Sequence, residues 1–174
     1  MSYDKNINNL LKSNLDKIEL ELNTRFSLLK EGMGNGFNKL STKLKSELLS
    51  NLVETSTEET ISGAIAPTKD HMPDLVMANK PLEIKATATS DAWRGGEFSK
   101  RPGDYVMVGW EEVKGKLKLF ILHTFLTKED WISSNSDNYY ATTISLTEIV
   151  ENVKYSILKG GLLKKRIKTH MVKV

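Results

Sequence analysis

The chain contains no cysteine, which excludes disulfide frameworks, thiol nucleophiles and cysteine-ligated zinc. Histidine is nearly as scarce: His71, His123 and His170 are scattered without metal-ligand spacing. Any metal is therefore expected to be a hard, oxygen-ligated ion such as magnesium. No apolar run approaches the length of a membrane span, and Met1 to Lys12 lacks the basic start and apolar stretch of a secretory signal. A soluble, cytoplasmic protein with no membrane partner is expected. Also missing are a Ser/His/Asp arrangement, a phosphate-binding loop and a dinucleotide fingerprint.

What remains is globular in composition, with 39% hydrophobic and 27% charged residues in 174. That length suits one domain with a substantial core, residues 1–174. The net charge of +3 is too small to imply a polyanionic partner by itself, but its distribution is uneven. Between Asn152 and Val174 lie Lys154, Lys159, Lys164, Lys165, Arg166, Lys168 and Lys173, with no acid among them. Such a one-sign face or tail could track a sugar-phosphate backbone.

Apolar spacing predicts a long helix over Asp4 to Glu31, with Ile7, Leu11, Leu15, Ile18, Leu22, Phe26 and Leu29 as its stripe. That stripe can pack on its own domain or form part of a dimer seam. Gly32, Gly34 and Gly36 break it, and Phe37 to Glu54 reads as a second helix. Ser56 and Glu59 have capping-box spacing for a short third one. The period then becomes that of strands: Asp74 to Ala78, a turn at Asn79-Lys80-Pro81, and Leu82 to Thr89. A polar loop, Ser90 to Gly103, precedes strands at Tyr105–Trp110 and Leu117–Leu126 joined at Gly115. His123 belongs to the second of these. Thr127 with Asp130 starts a short helix, Tyr140 to Ile144 reads as an edge strand, and Ser145 with Glu148 caps a helix running to Leu158. The expected class is α/β, with N-terminal helices, a central mixed sheet carrying a hairpin, and flanking helices. Residues 1–36 form the helix that could dimerise, 37–126 the core, and 127–174 a C-terminal part.

The chemistry lies in Pro73-Asp74, eight intervening residues, then Glu83-Ile84-Lys85. On a hairpin Asp74 begins one strand, while Glu83 and Lys85, two apart on its neighbour, share a face. Two carboxylates and an ammonium then converge. Carboxylates that close repel unless a cation lies between them, and magnesium suits such a place because it takes few protein carboxylates and leaves positions for phosphate oxygens. Lys85 would stand beside the attacking water or the scissile phosphate and offset developing negative charge.

These residues resemble the PD-(D/E)XK nucleases, which include many type II restriction endonucleases. The match is literal at Pro73-Asp74 and Glu83-Ile84-Lys85, and it covers roughly Leu44 to Leu126. The resemblance implies a restriction-endonuclease-like fold, with Asp74 and Glu83 as magnesium ligands, the Ile84 carbonyl as a third, and Lys85 as the catalytic lysine. Family members often add an acid from a preceding helix; Glu47, Glu54 and Glu58 all fall near one helical edge, and Glu54 is favoured. The implied activity is magnesium-dependent cutting of double-stranded DNA at a short site by a homodimer, with a companion DNA methyltransferase. A structure-selective or repair nuclease, or a non-cleaving DNA-binding module, are the alternatives. The expected DNA contacts are Trp93, Arg94, Lys100 and Arg101 in the polar loop and Lys164, Lys165 and Arg166 in the basic C-terminus. His71, just before Pro73, could donate to a phosphate.

Overall fold

The computed structural model describes residues 2–68, 72–88, 91–95, 102–136 and 139–171. Helix α1, Lys5–Met33, starts where the Asp4 side chain accepts from the amides of Asn6 and Ile7, and stops at Gly34, whose φ of 51° suits a residue without Cβ. Its stripe is spent inside this chain. Ile7, Leu11, Ile18, Leu22 and Phe26 are buried, and Leu15 and Leu29 pack against the same core, so the stripe is not left open as a dimer seam.

Helix α2, Asn35–Lys39, is a single short segment, and the extended backbone at Leu40 separates it from α3, Thr42–Thr60. The expected single helix from Phe37 is therefore broken, because Ser41 turns out and caps α3 by accepting from the Leu44 amide. The expected helix start at Ser56 is also corrected. Ser56 lies buried within α3, which continues to Thr60.

Five strands form the central sheet in the order β1-β2-β4-β5-β8: β1 Leu75–Met77, β2 Lys80–Thr87, β4 Gly103–Val113, β5 Lys116–Leu126 and β8 Tyr155–Lys159. β2 and β4 run parallel; the other neighbours are antiparallel. The β1–β2 turn is Ala78-Asn79, with φ of 51° and 60°, the pair of left-handed residues that a two-residue hairpin needs. It falls one residue earlier than the sequence suggests.

Both faces of this sheet are covered, which explains why β4 is buried almost end to end rather than alternating with polar residues. Val106, Val108, Leu119 and Ile121 face α1 and α3. Tyr105, Met107, Phe120 and Leu122 face a second cluster that includes Trp93, Trp131, Ile144, Leu146 and Ile149. A small antiparallel sheet supplies part of that layer: β3 Ala92–Gly95, β7 Tyr139–Ser145 and β6 Ile132–Ser136, with β7 in the middle. The segment expected as an edge strand is thus central to its sheet, and part of the expected polar loop is β3.

Ser145 and Glu148 do form a capping box, but helix α4 is only Leu146–Asn152 and the chain then enters β8. Helix α5, Leu163–Met171, follows. The expected helix to Leu158 fails because Tyr155, Ser156 and Ile157 pair with Thr124, His123 and Leu122, a long-range ladder that local capping cannot forecast. Among the described residues no helix is long and apolar enough to cross a membrane.

Gly109 marks the tightest point between the layers. A Cβ placed there would lie 1.9 Å from Cε1 of Phe120, a ring fully buried edge-on to Trp93. Gly109→Ala should therefore cost about 1–3 kcal/mol or more of stability, read by urea unfolding. A loss below about 0.5 kcal/mol, the size of a surface substitution, would contradict this packing.

Candidate functional site

The hairpin register determines the site. β1 pairs with β2 only from Met77↔Lys80 to Leu75↔Leu82, so beyond Leu82 one edge of β2 is uncovered by β1. Asp74 stands just before β1 and turns its carboxylate onto that edge, where Oδ2 accepts from the Ile84 amide at 2.7 Å. Continuing the register by two residues past Leu75↔Leu82 would set Pro73 opposite Ile84. Proline has no N–H, so the ladder offers no donor to the Ile84 carbonyl on this side.

Glu83 and Lys85 flank Ile84 and share the other face of β2. Lys85 Nζ lies 3.1 Å from Glu83 Oε2 and 3.4 Å from Asp74 Oδ2, so one ammonium serves two carboxylates. Of the three, Glu83 is the most enclosed, its side chain 13% exposed. Burial pushes its carboxyl up from the ordinary value; Lys85 opposes the rise and Asp74 adds to it.

The three candidate helix glutamates differ in their surroundings. Glu58 Oε1 accepts from the Ala66 amide at 2.9 Å, which fastens the segment that runs beside β1. Glu47 is exposed, 3.7 Å from Lys43. Glu54 feels Asp74, Glu58 and Glu83. Burial first, then those three charges in that order, push its carboxyl up to about 6, with Lys85 opposing. The structure therefore brings Glu54, Asp74, Glu83 and Lys85 into one electrostatic neighbourhood.

That donor set is hard oxygen throughout, three carboxyls beside the one ammonium of Lys85, and burial together with the neighbouring carboxylates raises both Glu54 and Glu83. It matches the chemistry of magnesium, which would be held by Asp74, Glu83 and the Ile84 carbonyl. Among the described residues no group of three His, Cys, Asp or Glu side chains is arranged to hold a metal ion by itself, so the carbonyl and waters would have to complete the shell.

A cleft of about 450 Å³ opens from this corner between α3 and the β2–β3 wall, with Asp74, Ile84 and Lys85 at its edge and the exposed Arg94 on its far side. The expected DNA contacts divide around it. Arg94 is placed to meet a ligand there, whereas Lys100, Arg101 and His71 lie outside the described residues. Trp93 is corrected: it is fully buried, its indole N–H donating to the Val108 carbonyl at 3.1 Å, and it offers no surface to a nucleic acid.

Arg166 is corrected too. It is 5% exposed, and its guanidinium donates to Asp91 at 2.8 Å and to the carbonyls of Ala88 and Trp110, each at 3.2 Å. It ties α5 to the end of β2 and to the start of β3. The basic C-terminus is also less one-sided than its sequence, because distant acids answer it. Lys159 pairs with Glu19, and Lys165 with Glu111 at 3.3 Å, leaving Lys154, Lys164 and Lys168 as exposed cations.

His123, expected in the sheet, lies fully buried in β5 with Nε2 2.9 Å from Asp104 Oδ1 and Nδ1 3.3 Å from Asn8 Oδ1. It joins the start of α1 to the sheet. No protein-family model matches the chain, and no curated protein matches it.

The raised Glu54 carboxyl carries a stability consequence. Its folded value, about 6, exceeds its ordinary value of 4.5, so ionised Glu54 burdens the fold above pH 6, and the burden vanishes as the pH falls below 4.5. In metal-free protein Glu54→Gln should raise the melting temperature at pH 8 and leave it unchanged near pH 4. A stabilisation equal at both values would place its cause outside this charge cluster.

Proposed function

We propose that this chain is a magnesium-dependent endonuclease of double-stranded DNA, a restriction-type enzyme with a restriction-endonuclease-like fold. The observation that supports it most is the convergence of Asp74, Glu83 and Lys85 at the uncovered edge of β2, with Glu54 within electrostatic reach. Hydrolysis of a phosphodiester needs an activated water, relief of charge on the phosphate and a protonated leaving oxygen. Bound magnesium would supply Lewis acidity toward the phosphate.

The remaining work falls to the side chains. Asp74 is oriented by the Ile84 amide, which holds one of its oxygens and leaves the other for a ligand. Glu54, with its raised carboxyl, suits proton exchange with water closer to neutral pH than an ordinary glutamate does. Lys85 keeps its ammonium between the carboxylates and is placed to meet a phosphate oxygen as negative charge builds on it. Arg94 across the cleft and the exposed Lys164 add phosphate affinity. Cutting both strands would call for two copies of the chain acting as a homodimer, with a companion methyltransferase protecting the host site.

Asp74→Ala and Glu83→Ala should each abolish cleavage while leaving unfolding cooperative, because both side chains stand at a partly exposed edge. Lys85→Ala should lower the single-turnover rate by about 10²–10³ with a smaller change in DNA affinity. Near-normal cutting by the Asp74 or Glu83 variant would overturn the assignment. A Lys85 variant that loses mainly affinity would reduce that residue to a phosphate contact.

A further inference from the structure

The cleft that leads away from Asp74 and Lys85 extends beyond the groups used by the chemistry just described. Its two walls differ in kind. Toward β2 and β3 it is lined by Ala86, Ala88 and Ala92, none of which carries a side chain beyond Cβ. Toward α3 it is lined by Ser46, Ser50 and Asn51. Arg94, Lys43 and Glu47, the last two 3.7 Å apart, are exposed at its rim.

We propose that this cleft is a subsite for one unpaired nucleotide of the DNA, next to the phosphate that is cut. The inference rests on the DNA-cutting reading and names the feature of the substrate that the site engages. About 450 Å³, the corner at Asp74 and Lys85 included, is within the range of pockets that enclose small ligands, the size class to which a single nucleotide belongs. Three alanines give one wall a shallow apolar surface against which a planar base can lie.

The uncovered edge of β2 supplies recognition. The Ile84 amide turns to the β1 side to reach Asp74, and backbone groups two residues apart on a strand face the same edge, so the Ala86 N–H and C=O also face it. Among the described strands none pairs with β2 there. One donor and one acceptor on the same residue match the donor-and-acceptor edge of a nucleobase, the edge that Watson–Crick pairing occupies in a duplex. A base can present that edge only when unpaired or turned out of the stack. Ser46, whose Oγ accepts from the Trp110 indole at 3.1 Å, retains its hydroxyl proton to donate, and Ser50 and Asn51 add further polar groups. Arg94 is positioned for a flanking phosphate.

The test compares three duplexes of one sequence: fully paired, with one unpaired adenine, and with an abasic residue at that same point. Binding is measured to the full chain with calcium in place of magnesium, so that affinity is read without turnover. The unpaired adenine should bind about tenfold tighter than the abasic duplex. Ser50→Leu, which fills the cleft from α3, should remove that difference and leave the abasic duplex bound as before. Equal affinity of the wild-type protein for adenine and abasic duplexes would overturn the subsite while leaving DNA cutting intact. Failure to bind any of the three would overturn both readings together. Because the central comparison uses the wild-type chain, a misfolded variant does not decide it.

Discussion

A group of carboxylates held at the end of a short hairpin, beside the one ammonium of Lys85, is the constraint around which the site of this protein is built. Asp74 and Glu83 meet just before β1 begins, Glu54 lies within electrostatic reach of both, and Lys85 is the ammonium within hydrogen-bonding reach of the first two. Separating the carboxylates would relieve the repulsion, but the fold forbids it. Asp74 is fastened to the Ile84 amide, Glu83 is fixed by β2 pairing with β4, and Glu54 rides on α3, which the buried Leu49 and Val53 fasten to the sheet. The strain takes the form of raised Glu54 and Glu83 carboxyls, for which burial is the larger cause and the neighbouring carboxylates add to it.

The surrounding structure serves to keep that corner open and in shape. Pro73 withholds an amide from the Ile84 carbonyl, Glu58 fastens the segment beside β1, and Arg166 binds the end of β2 to α5 through a buried pair with Asp91. Such a pair contributes little net stability of its own, but losing one partner would strand the other charge in the interior. Arg166 therefore acts on the cleft from behind, through the backbone at Ala88 and β3, while Arg94 on the same strand faces the opening.

What could be read from the sequence follows the range of the interactions concerned. The α1 stripe, the β1–β2 hairpin and the Asp74, Glu83, Lys85 group rest on spacing within a few residues, and the structure places those residues close to where spacing puts them. Arg166 and Trp93 could not be read this way. Each looks like a surface contact in a basic or polar stretch, yet their partners Asp91, Trp110 and Val108 are tens of residues off or on another strand. The same holds for Tyr155 to Lys159, whose helical neighbourhood yields to pairing with β5. Among the three candidate glutamates helical spacing left the choice open, and it is their surroundings that differ: Glu58 holds the Ala66 amide, Glu47 is exposed beside Lys43, and Glu54 feels Asp74 and Glu83.

The central claim is that this corner cuts DNA. The most direct measurement is incubation of the purified chain with supercoiled plasmid of mixed sequence, in magnesium and in a chelator, followed by sequencing of the ends. Discrete fragments with a common end sequence in magnesium, and intact plasmid in the chelator, are the predicted result. Plasmid that stays supercoiled in magnesium, or that is cut equally well in the chelator, would contradict it.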